Sequence, residues 1–346
     1  MRRITRSRWI VGAVALALTG VILGGCATPQ PSQPTAAGAG TPGTQQPLTQ
    51  VSVALDWYPW SNHTGLYMAQ DKGYYKDVGL DVKIYVPSNP EDVLKLVGSG
   101  KDSFGISYEA DVLLARSEGI GVKSIAAMVQ RPLNTLMTLK SSGITRPKQL
   151  EGKKVGYPGI PGEEAMLATM MEKDGSSIDK VELVNVGYDL VPALIGKKVD
   201  AIIGGYAVHE AILAEEQGYP VNVISVTDWG VPRYYELVMV TSDKMASEQA
   251  DVVKRFMWAT AKGYNDAMKD PAKALELLKK ANPEADMKME EQGSKILMPL
   301  WMDKVTTYGW QEKDRWQNFE QWMRSKGLLT KDVNVDDAYT NDFLTK

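Results

Sequence analysis

Cysteine is almost missing from this chain of 346 residues, with Cys26 the only one. Disulfides within the chain and thiolate metal sites are therefore excluded. Histidine is nearly as scarce, and His63 and His209 are too few to build a multi-histidine metal centre without carboxylates. There is no G-x-S-x-G elbow, no P-loop and no H-E-x-x-H. A basic excess is also absent, because 39 Lys and Arg stand against 42 Asp and Glu. That argues against a nucleic-acid binder, which normally presents a basic face. No catalytic residue, metal or cofactor is indicated, so a binding protein rather than an enzyme is expected.

The only strongly apolar run lies at the start. Arg2, Arg3, Arg6 and Arg8 form a positive region, and Ile10 to Ile22 is an apolar segment too short to span comfortably as a mature membrane helix. It closes on Leu23-Gly24-Gly25-Cys26, which resembles the lipobox of bacterial lipoproteins. The resemblance implies cleavage before Cys26 and lipid attachment to its sulfur, hence a protein anchored to the cell membrane on its outer side. Residues 27–49 are rich in Pro, Gln, Thr, Ala and Gly and read as a flexible tether. Loss of the four leading Arg leaves 35 basic residues against 42 acidic ones, a net charge of −7. About 300 residues remain, enough for two lobes.

From Val51 onward, strand and helix patterns alternate, which predicts an α/β fold with a mainly parallel sheet flanked by helices. Strands are expected at Val51–Leu55, Asp81–Val86, Ser103–Ser107 and Ile125–Val129, then at Lys154–Tyr157, Val181–Val186, Ala201–Gly204 and Val221–Val226. Leu133–Leu139 and Tyr235–Thr241 read as extended segments crossing between two such units. A rhythm repeats loosely: Gly100-Lys101-Asp102, an apolar strand and Tyr108 are echoed by Gly196-Lys197-Lys198, an apolar strand and Tyr206. The C-terminal part is helical, and the spacing of Trp316, Phe319, Trp322 and Met323 predicts core packing.

Aromatic residues concentrate where ligands are usually held in α/β proteins, at strand ends that open a helix. Leu55 to Tyr67 contains Trp57, Tyr58, Trp60 and Tyr67 together with Asp56, Asn62 and His63. Tyr108-Glu109 and Trp229 to Glu236 have similar make-up. Aromatic rings can sandwich a flat ligand, and a carboxylate can accept hydrogen bonds from its amino or ring N–H groups. The turn Gly156 to Gly162 places backbone N–H groups at a helix start, a site suited to a polar or anionic group.

Asp56-Trp57-Tyr58-Pro59, Asn62-His63-Thr64-Gly65-Leu66-Tyr67, Lys72-Gly73-Tyr74-Tyr75, Ser107-Tyr108-Glu109, Tyr157-Pro158-Gly159 and Val231 to Glu236 form one set. That set resembles the solute-binding lipoproteins of ABC importers related to fungal thiamine-pyrimidine synthases. The resemblance implies a two-lobed periplasmic-binding-protein-like fold (type II) with two crossover strands as hinge. One lobe would comprise residues 50–137 and 238–346, the other 138–237. It also implies capture of a small heterocycle, a thiamine pyrimidine precursor of the formylaminopyrimidine or hydroxymethylpyrimidine type, by a monomer that delivers it to an ABC permease with its ATPase. By motif position, Asn62, Glu109 and Glu236 would bond to the ring, with His63, Tyr108 and Tyr157 beside them. Trp57, Tyr188 and Tyr235 would supply aromatic contacts, and Gly159 to Glu163, including Gly162, would meet the substituent. The family's pyrimidine binders carry Asn-Thr where this chain has Trp60-Ser61. The extra indole either fills space or stacks a larger ring, so riboflavin remains an alternative ligand. A synthase would need the Cys-rich motif that this chain lacks.

Overall fold

The structure is a computed structural model that describes residues 47–329 and 331–345. The expected signal segment, Cys26 and nearly all of the tether lie outside the described residues. Ten strands follow one another as β1 (Thr49–Ala54), β2 (Leu80–Tyr85), β3 (Phe104–Ser107), β4 (Val122–Ala127), β5 (Asn134–Leu139), β6 (Lys154–Tyr157), β7 (Glu182–Asn185), β8 (Ala201–Tyr206), β9 (Val221–Ser225) and β10 (Val238–Ser242). They form two five-stranded sheets ordered β2-β1-β3-β10-β4 and β7-β6-β8-β5-β9. Helices connect successive strands within each sheet, so an α/β protein with two lobes is found.

The sheets are mixed, not mainly parallel throughout. In each, one strand runs against its neighbours, β10 between β3 and β4 and β5 between β8 and β9. These are the two strands that the chain enters directly from the other lobe. A direct crossing delivers the strand at the end where its new neighbours finish, so it pairs antiparallel. Strands reached through a covering helix run in the same direction as the strand before them, even where the crossing strand lies between the two, as β10 does between β3 and β4. Every residue of β5 and β10 is buried, so their apolar runs look like those of buried parallel strands.

The crossings themselves are residues 128–133 and 230–237. The two strands read above as crossovers therefore lie largely inside single sheets. Residues 134–137, expected in the first lobe, pair with β8 and β9 in the second sheet. The strand order also explains the repeated rhythm. β3 and β8 occupy the same position in their sheets, and Tyr108 and Tyr206 stand at their corresponding ends.

Packing behind the first sheet is set by the helix Ala250–Lys269. Val253, Phe256, Met257, Thr260, Tyr264 and Ala267 form its buried stripe at helical spacing. It crosses the helix Thr64–Asp71 at Gly65, where an added Cβ would sit 2.3 Å from the Tyr264 ring. The Tyr264 ring in turn stacks on Tyr308, with centroids 4.6 Å apart. In the helix Lys313–Ser325, Trp316, Phe319 and Met323 are fully buried, as their spacing suggests, and Trp322 is partly buried against the same cluster. Gly65→Ala is expected to cost about 1–3 kcal/mol of stability through overpacking. Denaturant unfolding checks this; an unchanged midpoint would mean that the two helices do not approach so closely.

Candidate functional site

Between the lobes lies a tight cavity of about 20 Å³. The first lobe contributes Asp56, Trp57, Trp60 and Tyr108. The second contributes Pro158, Ile160, Glu163, Gly204, Tyr206, His209 and Glu210. Among these lining residues there is no Lys or Arg.

The segment after β1 builds one wall. Asp56 is buried, and its Oδ1 lies 2.9 Å from His63 Nε2 while its Oδ2 accepts from the Tyr108 hydroxyl at 3.2 Å. The Trp60 N–H points to His63 Nδ1 at 3.4 Å, which assigns the ring proton to Nε2 and makes it the donor to Asp56. Thr64 Oγ1 donates to the Ser61 carbonyl at 2.7 Å. His63 thus holds Asp56 without lining the cavity. Asn62 does not line it either. Its Oδ1 accepts from Trp301 Nε1 at 3.0 Å, its carbonyl accepts from the Tyr264 hydroxyl at 2.7 Å, and its Nδ2 has no partner. Asn62, on the short helical turn Ser61–His63, is thus bonded to Trp301 and Tyr264 behind the cavity wall.

The opposite wall begins after β6. Gly159 has φ +84°, a conformation that favours glycine, and it sets Pro158 and Ile160 against the cavity. The helix Pro161–Lys173 follows, but its start is not an open anion site. The Gly162 N–H donates to Asp111 Oδ1 at 3.0 Å, and a Cβ at Gly162 would lie 2.8 Å from that of Ala110. The helix start is thus capped by a carboxyl group from the other lobe. Glu163, one residue on, does reach the cavity and is bonded by the Asn134 side-chain amide. Burial pushes the Glu163 carboxyl well above its ordinary range, the amide of Asn134 opposes this, and Glu236 and Asp111 add to it.

Glu236 stands one layer behind this wall. Its Oε2 accepts from the N–H of Leu133, from the N–H of Asn134 at 2.9 Å and from the Tyr234 hydroxyl at 3.0 Å. Its Oε1 accepts from the Tyr206 hydroxyl at 3.2 Å. Burial raises its pKa and these donors pull back, leaving it at about 7. Glu109 and Tyr235 lie outside the cavity. Glu109 Oε2 accepts from the Tyr235 N–H at 2.6 Å, and burial raises that carboxyl to about 8. The Tyr235 ring lies 4.2 Å under the Arg315 guanidinium, and its hydroxyl accepts from the Glu312 N–H. Both residues belong to the hinge side, because the second crossing turns alternate side chains to opposite faces. Tyr157 packs on an apolar cluster that draws residues from both lobes.

Tyr188 and Trp57 meet at the mouth, with centroids 4.6 Å apart, and Tyr188 donates to the Pro87 carbonyl across the lobes at 3.3 Å. His209 closes the far side. Its Nδ1 is 2.7 Å from Glu210 Oε1 and its Nε2 is 3.6 Å from Glu290 Oε1. Burial alone would lower its pKa, but the two carboxylates outweigh this and raise it to about 10. His209 is therefore a cation already neutralised by its neighbours. Asp56, Tyr206, His209 and Glu210 are not among the residues that motif position marks as ligand contacts, whereas Trp60 is marked as the indole that fills space or stacks a ring. Tyr206 was accessible through its echo of Tyr108, and Asp56 lay within the quoted motif. Among the described residues no cluster of His, Cys, Asp and Glu is placed to hold a metal, and no helix is long and apolar enough to cross a membrane.

A family model described as NMT1/THI5 like matches residues 60–274. The chain is 35% identical over 305 residues to a formylaminopyrimidine-binding protein of Halalkalibacterium halodurans, covering 87% of this chain and 92% of the relative. It is 29% identical to the riboflavin-binding protein RibY of Chloroflexus aurantiacus, covering 94% of this chain and 95% of that one. Among solved structures, the alkanesulfonate-binding protein SsuA from Xanthomonas axonopodis pv. citri superposes with a TM-score of 0.68 at 13% identity, over 85% of this chain and 99% of that one. This likeness shows a shared periplasmic-binding-protein fold.

Glu109, Asp111, Glu163 and Glu236 are all raised by burial. Each folded-state pKa exceeds its unfolded value, so the folded form holds more protons and its stability falls as pH rises from about 4.5 to about 8. His209 acts in the same direction above about 6.5, its ordinary value. The melting temperature should therefore drop between about pH 5.5 and about pH 8, with a shallower slope in Glu236→Gln. An identical slope in that variant would rule out a raised Glu236.

Proposed function

Because the chain belongs to the NMT1/THI5-like family, we propose that it is the substrate-binding component of an ABC importer and captures a thiamine pyrimidine precursor. The observation that carries this reading is the enclosed cavity with rings on both sides and two buried carboxyl groups, Asp56 and Glu163. An aminopyrimidine presents donors that Asp56 can accept and ring nitrogens that a protonated Glu163 can serve. Trp57, Trp60, Tyr108 and Tyr206 supply flat apolar surface, where stacking is worth about 0.5–1.5 kcal/mol beyond area burial. With no lysine or arginine on its walls, the cavity disfavours phosphorylated ligands.

A synthase activity is less well supported. The resemblance to the fungal enzymes implies a lysine for pyridoxal phosphate and a Cys-rich motif. No lysine lines this cavity, and Cys26 is the only cysteine. In the proposed setting, Cys26 carries a lipid that tethers a monomer outside the cell membrane, where it meets its permease. Cys26→Ser is expected to move the protein from the membrane fraction to the soluble one; unchanged membrane association would argue against the lipid.

Isothermal titration with hydroxymethylpyrimidine, formylaminopyrimidine, thiamine and riboflavin tests the ligand class. A pyrimidine should give saturable heat and raise the melting temperature, by about 2.7 kcal/mol of stability at a hundred times its Kd. Tight riboflavin binding with no heat from either pyrimidine would overturn the pyrimidine reading.

A further inference from the structure

Outside this tight inner cavity lies a second, larger groove of about 420 Å³. The two share Trp57, Trp60, His209 and Glu210, so one layer of side chains separates them. The outer groove is mostly apolar, with Leu190, Val191, Leu213 and Met289 on its walls, and Glu284 and Asp286 among its polar residues. It has no Lys or Arg in its lining either.

Trp60 occupies the shared wall. Its indole is 3% exposed and lies 5.8 Å from the Tyr206 ring and 5.2 Å, edge to face, from the His209 ring. Its Nε1–H is buried without any acceptor in the protein. Buried indole donors usually find a partner; those of Trp316 and Trp322 in the core also lack one, but of the three only Trp60 lines the cavity. Its neighbours hold the ring in place. Trp60 is extended, at φ −145° and ψ −179°, and its N–H meets His63, which also fixes Asp56.

We propose that Trp60 is the partition that sets ligand size. It bounds the tight inner cavity, offers its Nε1–H to a ligand there, and shuts off an outer groove that would accept the additional rings and arm of a larger heterocycle. The acidic lining limits such ligands to uncharged or cationic ones. This rests on the reading of the inner cavity as the heterocycle site.

The test titrates wild type, Trp60→Ala and Trp60→Phe with hydroxymethylpyrimidine, riboflavin and flavin mononucleotide, after melting curves show that each variant is folded. Wild type should bind the pyrimidine and bind riboflavin at least about a hundredfold more weakly. Trp60→Ala should lose about tenfold for the pyrimidine and gain at least about tenfold for riboflavin, with no gain for the phosphorylated flavin. Trp60→Phe keeps a ring in the partition but lacks the donor, so it should lose pyrimidine affinity without gaining riboflavin. Tight riboflavin binding by wild type, or an unchanged riboflavin affinity in Trp60→Ala, would overturn the partition. Equal gains for both flavins would overturn the charge rule. Failure of wild type to bind any pyrimidine counts against the proposed function instead, and the riboflavin comparison between variants still decides the role of Trp60.

Discussion

Burying Glu236 between the two crossing segments is the constraint from which the rest of the site follows. The residue sits on the second crossing, yet its Oε2 takes the N–H groups of Leu133 and Asn134 at the end of the first. A carboxyl group removed from water needs such donors, since an unpaired one would be costly. Having been positioned in this way, Asn134 extends its side chain to the Gly204 N–H and to Glu163. Tyr206 reaches back to Glu236 from the cavity wall. Hinge and wall are thus one hydrogen-bonded unit, and a rotation of the lobes about the crossings acts directly on Glu163 and Tyr206.

The same economy governs the first lobe. The residues from Asn62 to Gly65 do not touch the cavity. Each secures something that does: Asn62 ties the turn to Trp301 and Tyr264, His63 fixes Asp56, and Gly65 lets the following helix settle against Tyr264. What this lobe turns to the cavity is Asp56, Trp57, Trp60 and Tyr108. Negative charge is managed by burial and by pairing with His209 rather than by Lys or Arg. Glu163 and Glu236 are pushed upward by burial, and His209 is held between Glu210 and Glu290. The SsuA comparison shows that the same fold hosts a protein named for an anionic ligand.

The fold was largely legible because its evidence is local. Alternating apolar patterns located the strands, and the Tyr108 and Tyr206 echo reflected two sheets with one strand order. Strand direction was not legible, since β5 and β10 are buried on both faces and carry no alternation to mark them. The site was legible as a region but not residue by residue. Trp57, Tyr108 and Glu163 line the cavity as motif position suggested. Asn62, Glu109 and Tyr235 do not, because whether a motif residue points into a cleft or into the core behind it depends on distant partners such as Trp301 and Arg315. His209 and Glu290 are far apart in sequence, and no motif announced their meeting.

The most direct test is a crystal structure with hydroxymethylpyrimidine bound. The account expects the ring between the lobes, against Trp60 and Tyr206, with its polar atoms within hydrogen-bond reach of Asp56 and Glu163. A ring bonded instead to Asn62, Glu109 or Tyr235, with the cavity around Asp56 empty, would contradict it.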